Sequence, residues 1–415
     1  MAMLDLLGVP AHLRRFEATH HAARQRLGGV NPSAYARSRN ALDGAVTGLS
    51  PYFTHGLVGM AEAAGVVNQR QPLTFDDKLV FEFAWREFFH HVWWHQKNPD
   101  AILQDMHGLL PWSGAYTASL PQDIRQGCTG VPAIDNAVRI LYATGYLHNH
   151  MRMWLASYVV HVRKVHWRAG ADWLFGHLLD GDLASNHLSW QWVAATFSSK
   201  PYLFNAENVL KYAPASARPA WDCGGTHIDQ SYEALDELAR RKGGTGPERG
   251  VHDSVVEPPL LSQPCVDHSA ASAAQQASAA MPNVAGQHVQ LVHPWSLSQS
   301  AAASRPGGNL RIGVIHLPAH AAWPWSQRRW EFVLTAMASV TDSIWMGDLA
   351  ELDLSAASSI TAEATLFPGY RQALQKMATL AAPPRLLPNP SMACRSFSKF
   401  YERARRDAGH LADLL

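Results

Sequence analysis

Cysteine is scarce in this chain. The four residues Cys128, Cys223, Cys265 and Cys394 are far apart and form no CxxC. That spacing argues against a zinc site, an iron–sulfur cluster or a disulfide framework, so no metal is expected. Net charge is also missing, with 35 Lys and Arg set against 34 Asp and Glu. No global field draws the protein to a polyanion, and any such site must be a local basic patch. No apolar run reaches membrane-spanning length, and the start, MAMLDLLGVPAHLRR, has no apolar signal core. A soluble, cytoplasmic protein without membrane contact is the expectation. Glycine-rich phosphate loops are missing too: there is no GxGxxG and no P-loop.

What the chain does have is length and tryptophan. Its 415 residues imply two or three units. Fifteen tryptophans crowd unevenly, five of them between Thr144 and Thr196 at positions 154, 167, 173, 190 and 192. Two helical patterns flank a turn-like DGDLASN in that stretch. Asn149, Arg152, Met153 and Ala156 recur at helical spacing and share a face that suits neither a core nor plain solvent. Asp180 and Asp182 supply acceptors for a guanidinium or for ring N–H groups.

Upstream, TFDDKLVFEFAWREFFHHVWWHQK reads as a strong helix starting at Thr74, with acidic residues in its first turn. Glu82 and Trp85 share a face, and Glu82 with Arg86 makes an i,i+4 ion pair. Residues 243–307 turn Gly-, Ala-, Ser-, Gln- and Pro-rich and read as a disordered linker. Beyond it LRIGVIHL, SIWMGD and SITAEATL read as strands. WSQRRWEFVLTAMASV, PGYRQALQKMATL and SFSKFYERARRDAG read as helices. The alternation predicts a small α/β layer with a parallel sheet. The division is therefore 1–242, a helical domain; 243–307, the linker; and 308–415, a small α/β domain.

The order TG-aromatic-x-HN-x-x-RM, a lone Trp, then DGDLA-x-N-x-x-x-WQW resembles the FAD-binding domain of the DNA photolyase/cryptochrome family. It is most similar to the branch that repairs cyclobutane pyrimidine dimers, and the likeness runs from about Val30 to Pro214. The fold it implies is an all-α FAD-binding domain. The family's usual N-terminal α/β antenna domain has no room before it here, and any antenna chromophore is left open.

The resemblance also implies roles. Asn149 and Asn186 would lie at the O4/N5 edge of the flavin, Arg152 would pair with Asp180 beside the ring, and Asp182 would accept from the ring N3–H or the ribose side. The segment Tyr35, Arg37, Ser38, Arg39 and Asn40 stands where the family contacts the pyrophosphate, and Arg86 joins the cofactor contacts. Glu82, Trp85, Met153 and Trp192 would line the cavity that receives a flipped dimer. Trp190 and Trp167 lie 23 residues apart, the spacing of the family's flavin-proximal and middle tryptophans in its electron-transfer chain. The third member is Trp112 or Tyr116.

His150 replaces an Arg expected at the DNA mouth and weakens a charge-dependent backbone contact there. The implied activity is that of a deoxyribodipyrimidine photolyase-like lyase, driven by blue light and acting on damaged DNA through a local basic rim. The alternative is a cryptochrome-type signalling flavoprotein that meets a protein partner through its C-terminal unit.

Overall fold

The computed structural model describes residues 2–96, 109–110, 114–248, 252–265, 282–299 and 310–415. Two compact units emerge, interleaved along the chain. The first comprises Met1–Phe16, Arg37–Val46 and Ile102–Pro259; the second comprises Glu17–Ala36, Thr47–Ala101 and Leu260–Leu415.

The regular elements among the first unit's described residues are all helices, apart from one isolated bridge between Thr117 and Val165. Its centre is the helix Pro132–Thr144, buried on most sides. Pro132 fits the first helical turn, where its missing N–H is not needed, and Gly145 ends the helix in the left-handed region at φ 69°. The helix Asn149–Ser157 follows and runs into a π-helical turn, Tyr158–Val162. That turn is closed by Lys164, a buried residue at φ 53°. Its ammonium donates to His161 O, Leu238 O and Ala239 O at 2.8, 2.9 and 2.6 Å. Three carbonyl acceptors offset the cost of burying a charge, although burial still lowers the Lys164 pKa to about 8.

Helices Trp167–His177 and Leu183–Val193 form the next antiparallel pair. Their close approach depends on Gly170. A methyl group there would fall 2.3 Å from the Trp190 ring.

Residues 244–248 and 252–257 continue on the same unit. Thr245 N–H donates to Val162 O and Glu248 N–H to Thr129 O. The Glu257 carboxylate accepts from Arg125 at 2.7 Å and from the Trp173 indole at 2.9 Å. Composition alone assigned these residues to the start of a linker.

The second unit contains a five-stranded, all-parallel sheet: β1 His288–Val292, β2 Leu310–His316, β3 Ser343–Gly347, β4 Ser359–Glu363 and β5 Thr379–Ala381, in spatial order β3-β2-β1-β4-β5. The strands and helices read from 308–415 are present. Two strands are added: β5, whose Thr379 and Leu380 were read as the end of the helix that stops at Met377, and β1, which lies within the stretch read as linker yet sits at the centre of the sheet, Leu291 opposite Ile312. Residues 266–281 and 300–309 of that stretch lie outside the described residues. Helix Gln327–Ala338 is capped by Ser326 and packs on the sheet at Gly313, where a Cβ would meet Met337 Sδ at 2.6 Å.

The same unit holds helix Lys78–Trp94. It begins four residues later than Thr74, because the Asp77 carboxylate turns back to accept from Thr74 N–H at 2.7 Å and Oγ1–H at 3.0 Å. Asp77 itself becomes the N-cap. No helix among the described residues is long and apolar enough to cross a membrane.

Candidate functional site

Helix Asn149–Ser157 is launched by His148, whose Nδ1 accepts from His150 N–H at 3.1 Å. Its other ring nitrogen, Nε2, donates to Arg39 O at 2.9 Å and ties the segment Arg37, Ser38, Arg39 and Asn40 to the start of this helix. Ser38 Oγ accepts from Ala45 N–H at 3.0 Å and fixes the turn behind it. Burial, reinforced by the neighbouring His150 ring, pushes the His148 pKa down to about 4.

His150 differs from its expected place at the rim. It is buried, with its ring 4.1 Å from the Tyr212 ring, and burial holds it neutral, its pKa lowered to about 4. The reason is a partner 62 positions away, which local sequence does not show.

Two faces of the helix then diverge. Asn149 is exposed, its Nδ2 3.3 Å from the Met153 sulfur. Arg152 turns inward. Its Nε donates to Leu147 O at 2.9 Å and one terminal nitrogen to Asp180 Oδ2 at 2.7 Å. The Asp180 side chain is 2% exposed and that of Arg152 24%. Burial opposes the guanidinium charge, but the Asp180 carboxylate outweighs it and raises the Arg152 pKa. The guanidinium also lies over the Tyr146 ring at 5.4 Å.

Asp182 caps helix Leu183–Val193 by accepting from Ser185 N–H at 2.7 Å. The hydroxyl of Ser185 is buried and meets no partner among the described residues. One residue on, Asn186 Nδ2 donates to Ala171 O at 2.8 Å. Trp190 and Trp167 are both buried, each 2% exposed, on the two paired helices. Trp192 points outward at 37% exposure, its ring 6.0 Å from Tyr202. Trp112 lies outside the described residues. Tyr116 is described, and its ring is 6.5 Å from His166, which is 5.7 Å from Trp167.

Glu82, Trp85, Arg86 and Tyr35 belong to the second unit. Glu82, Trp85 and Arg86 are each half-buried on helix Lys78–Trp94. Phe397, the first residue of helix Phe397–Ala408, lies flat on the Trp85 indole, centroids 4.0 Å apart and planes 7° apart. One face of the indole is therefore covered.

Glu87, one turn from Phe83 in the buried stripe, is 2% exposed and accepts from Leu386 N–H at 2.6 Å and Leu387 N–H at 2.9 Å. Burial raises its pKa against the pull of Arg385. His91 accepts from Cys394 N–H at 2.9 Å. Sequence reasoning missed this docking of 385–397 on the helix. Its only signal was a Glu and a His placed four apart on the helix's apolar stripe.

Residues 79–281 match the family described as the FAD binding domain of DNA photolyase. A deoxyribodipyrimidine photo-lyase of Neurospora crassa is 31% identical over 279 residues, covering 61% of this chain and 44% of that protein. One from Synechococcus is 32% identical over 192 residues, covering 44% of this chain and 38% of that protein. A solved structure, a bacterial class III photolyase from Agrobacterium tumefaciens, aligns with a TM-score of 0.43 at 24% identity, covering 56% of this chain and 53% of that one. Through this segment the chain is similar to the photolyase family. It spans less than half the length of these curated relatives.

The donor set of the first unit fits the group that the family binds. A flavin needs a charged orienting pair, acceptors for ring N–H groups and amide partners at its edge. Arg152 on helix Asn149–Ser157, and Asp180, Asp182, the unmet Ser185 hydroxyl and Asn186 at the start of helix Leu183–Val193, are groups of these kinds.

Proposed function

We propose that the chain binds FAD and is a light-driven lyase that splits cyclobutane pyrimidine dimers in DNA. The observation that carries this reading is the Arg152–Asp180 pair at 2.7 Å, set in one helical unit with Asn186 and the buried indoles of Trp167 and Trp190. Bound and reduced, FAD supplies the light-driven electron that opens the dimer.

The chain's own residues do the rest. Arg152 and Asp180 orient the ring, with the pair serving geometry more than stability. Asn149 and Asn186 border its edge, and Asp182 accepts from N3–H or the ribose side. Arg37, Ser38, Arg39 and Asn40 hold the pyrophosphate through charge-assisted hydrogen bonds. Trp190 and Trp167 are buried indoles able to pass an electron, with Tyr116 or Trp112 completing the route. Met153 and Trp192 on the first unit receive the extruded lesion. There the Trp192 face stacks on the base. Damaged DNA is the partner, held at a local basic rim.

One observation favours a second reading, that of a cryptochrome-type signalling flavoprotein. The Trp85 face that would receive a base carries Phe397. In that reading the C-terminal segment meets a protein partner.

One experiment separates the two. The purified, reduced protein is mixed with a dimer-containing oligonucleotide and illuminated. Loss of dimers supports the lyase. A yellow protein that photoreduces but neither binds nor splits the dimer supports signalling.

A further inference from the structure

The behaviour of Asn186 is set by two residues outside the motif. His187 is fully buried between the rings of Trp167 and Phe175, with centroid distances of 6.1 and 6.2 Å. Its Nε2 lies 2.8 Å from Asp172 Oδ1 on the neighbouring helix, and the Asp172 side chain is 43% exposed. A carboxylate oxygen can only accept, so Nε2 carries the proton, and in the neutral ring Nδ1 keeps its lone pair. That lone pair faces Asn186 Nδ2 at 3.4 Å. The same Nδ2 donates to Ala171 O at 2.8 Å.

Two acceptors thus hold the amino end of the carboxamide against the helix pair. The oxygen end is left facing the other way, and no donor among the described residues reaches it. Rotating the amide by half a turn would set oxygen against oxygen at Ala171. Moving the imidazole proton to Nδ1 would set N–H against N–H and leave Asp172 facing a lone pair.

We propose that Asp172 and His187 form a positioning chain that locks the Asn186 carboxamide with its oxygen toward the flavin edge. The proposal rests on the reading above that Asn186 borders the flavin. An acceptor fixed at that point hydrogen-bonds a ring edge that bears N–H and repels one that bears a lone pair. The site therefore favours the reduced, N–H-bearing ring over the oxidised one, and His187 acts on that preference only through Asn186.

The test uses the full chain. Nitrogen-15 NMR of the apoprotein reads the His187 tautomer. The midpoint potential of bound FAD is then measured in the parent, His187→Phe, Asn186→Ala, the double variant and Asp172→Ala. Phenylalanine keeps a ring between Trp167 and Phe175 while removing both nitrogens. Asp172→Ala is the fallback if that variant does not fold, because its side chain is partly in solvent.

The expected tautomer carries its proton on Nε2. The expected potential falls in each single variant, so that the reduced-to-oxidised ratio at fixed poise drops roughly two- to tenfold, the worth of one hydrogen bond. The double variant matches Asn186→Ala alone. A proton on Nδ1, a parental potential in both His187→Phe and Asp172→Ala, or additive shifts in the double variant would overturn the proposal. A parent that takes up no FAD overturns the flavin reading itself. The apoprotein tautomer still shows separately whether the Asp172–His187 bond stands.

Discussion

At the scale of single residues the site depends on a few buried polar atoms whose partners cannot be exchanged. Asp180 is almost fully buried and Arg152 largely so, and each is the other's ion-pair partner. Removing either takes the ion-pair partner from the other, a loss of about 3–5 kcal/mol where the pair is dry. Arg152→Ala and Asp180→Ala are expected to melt well below the parent and to lose flavin. Both variants melting like the parent would show the pair to be dispensable.

Gly170→Ala drives a methyl group into the Trp190 ring. Overpacking of this kind costs about 1–3 kcal/mol. Trp190→Phe keeps most of the ring volume, so it is expected to retain FAD and to lose light-driven reduction of the oxidised flavin. Photoreduction at the parental rate would remove Trp190 from the electron route.

Arg152, Asp180, Asn186 and Trp190 were legible in the sequence because they sit in one ordered motif. His187 and Asp172 were not, because their bond spans 15 positions and joins two helices. The burial of His150 escaped for the same reason, through Tyr212.

At the scale of elements, two helices matter most. The π-helical turn Tyr158–Val162 carries His161, whose Nε2 donates to Val193 O at 2.8 Å. Burial pushes the His161 pKa down to about 4, and those of His148 and His150 equally. In the unfolded chain a histidine takes up its proton near pH 6.5. The unfolded state therefore binds more protons between pH 6.5 and 4, and stability is lost as pH falls through that window. A melting temperature that drops from pH 7 to pH 4.5, and drops less in His161→Phe, is the expected result. A flat profile would contradict the buried, neutral histidines.

The second helix, Lys78–Trp94, was legible in length and in its apolar stripe, but not in its partner. Its start slipped from Thr74 to Lys78 because the Asp77 side chain competes for the Thr74 backbone and hydroxyl. Phe397→Ala uncovers the Trp85 face. If that face receives a base, binding of a dimer-containing strand tightens, since stacking is worth about 1–3 kcal/mol per base. Unchanged binding in the dark would show that the base does not use this face.

At the scale of the whole molecule the two units are woven from separate stretches of chain. The parallel sheet was legible from alternating strands and helices in 308–415. Its central strand, His288–Val292, was hidden because a five-residue strand flanked by low-complexity sequence has no periodic neighbour to announce it. Nor did composition reveal the long-range bonds of residues 244–248 and 252–257, such as that of Glu257 to Arg125.

A chain ending at Pro259 keeps those bonds but removes the N–H donors of Leu386 and Leu387 from the buried Glu87 carboxylate, and Phe397 from Trp85. It is expected to aggregate or to lose the order of helix Lys78–Trp94, as read by circular dichroism. A soluble and fully helical truncation would show that residues 260–415 are dispensable for this helix.

The central claim is that the helices around Arg152, Asp180 and Asn186 hold FAD. The most direct measurement is the visible absorption spectrum of the purified full chain after incubation with FAD and desalting, beside Asp180→Ala treated identically. The expected result is a flavin band near one equivalent per chain in the parent and a strongly reduced band in the variant. A colourless parent, or equal flavin in both, would contradict the claim.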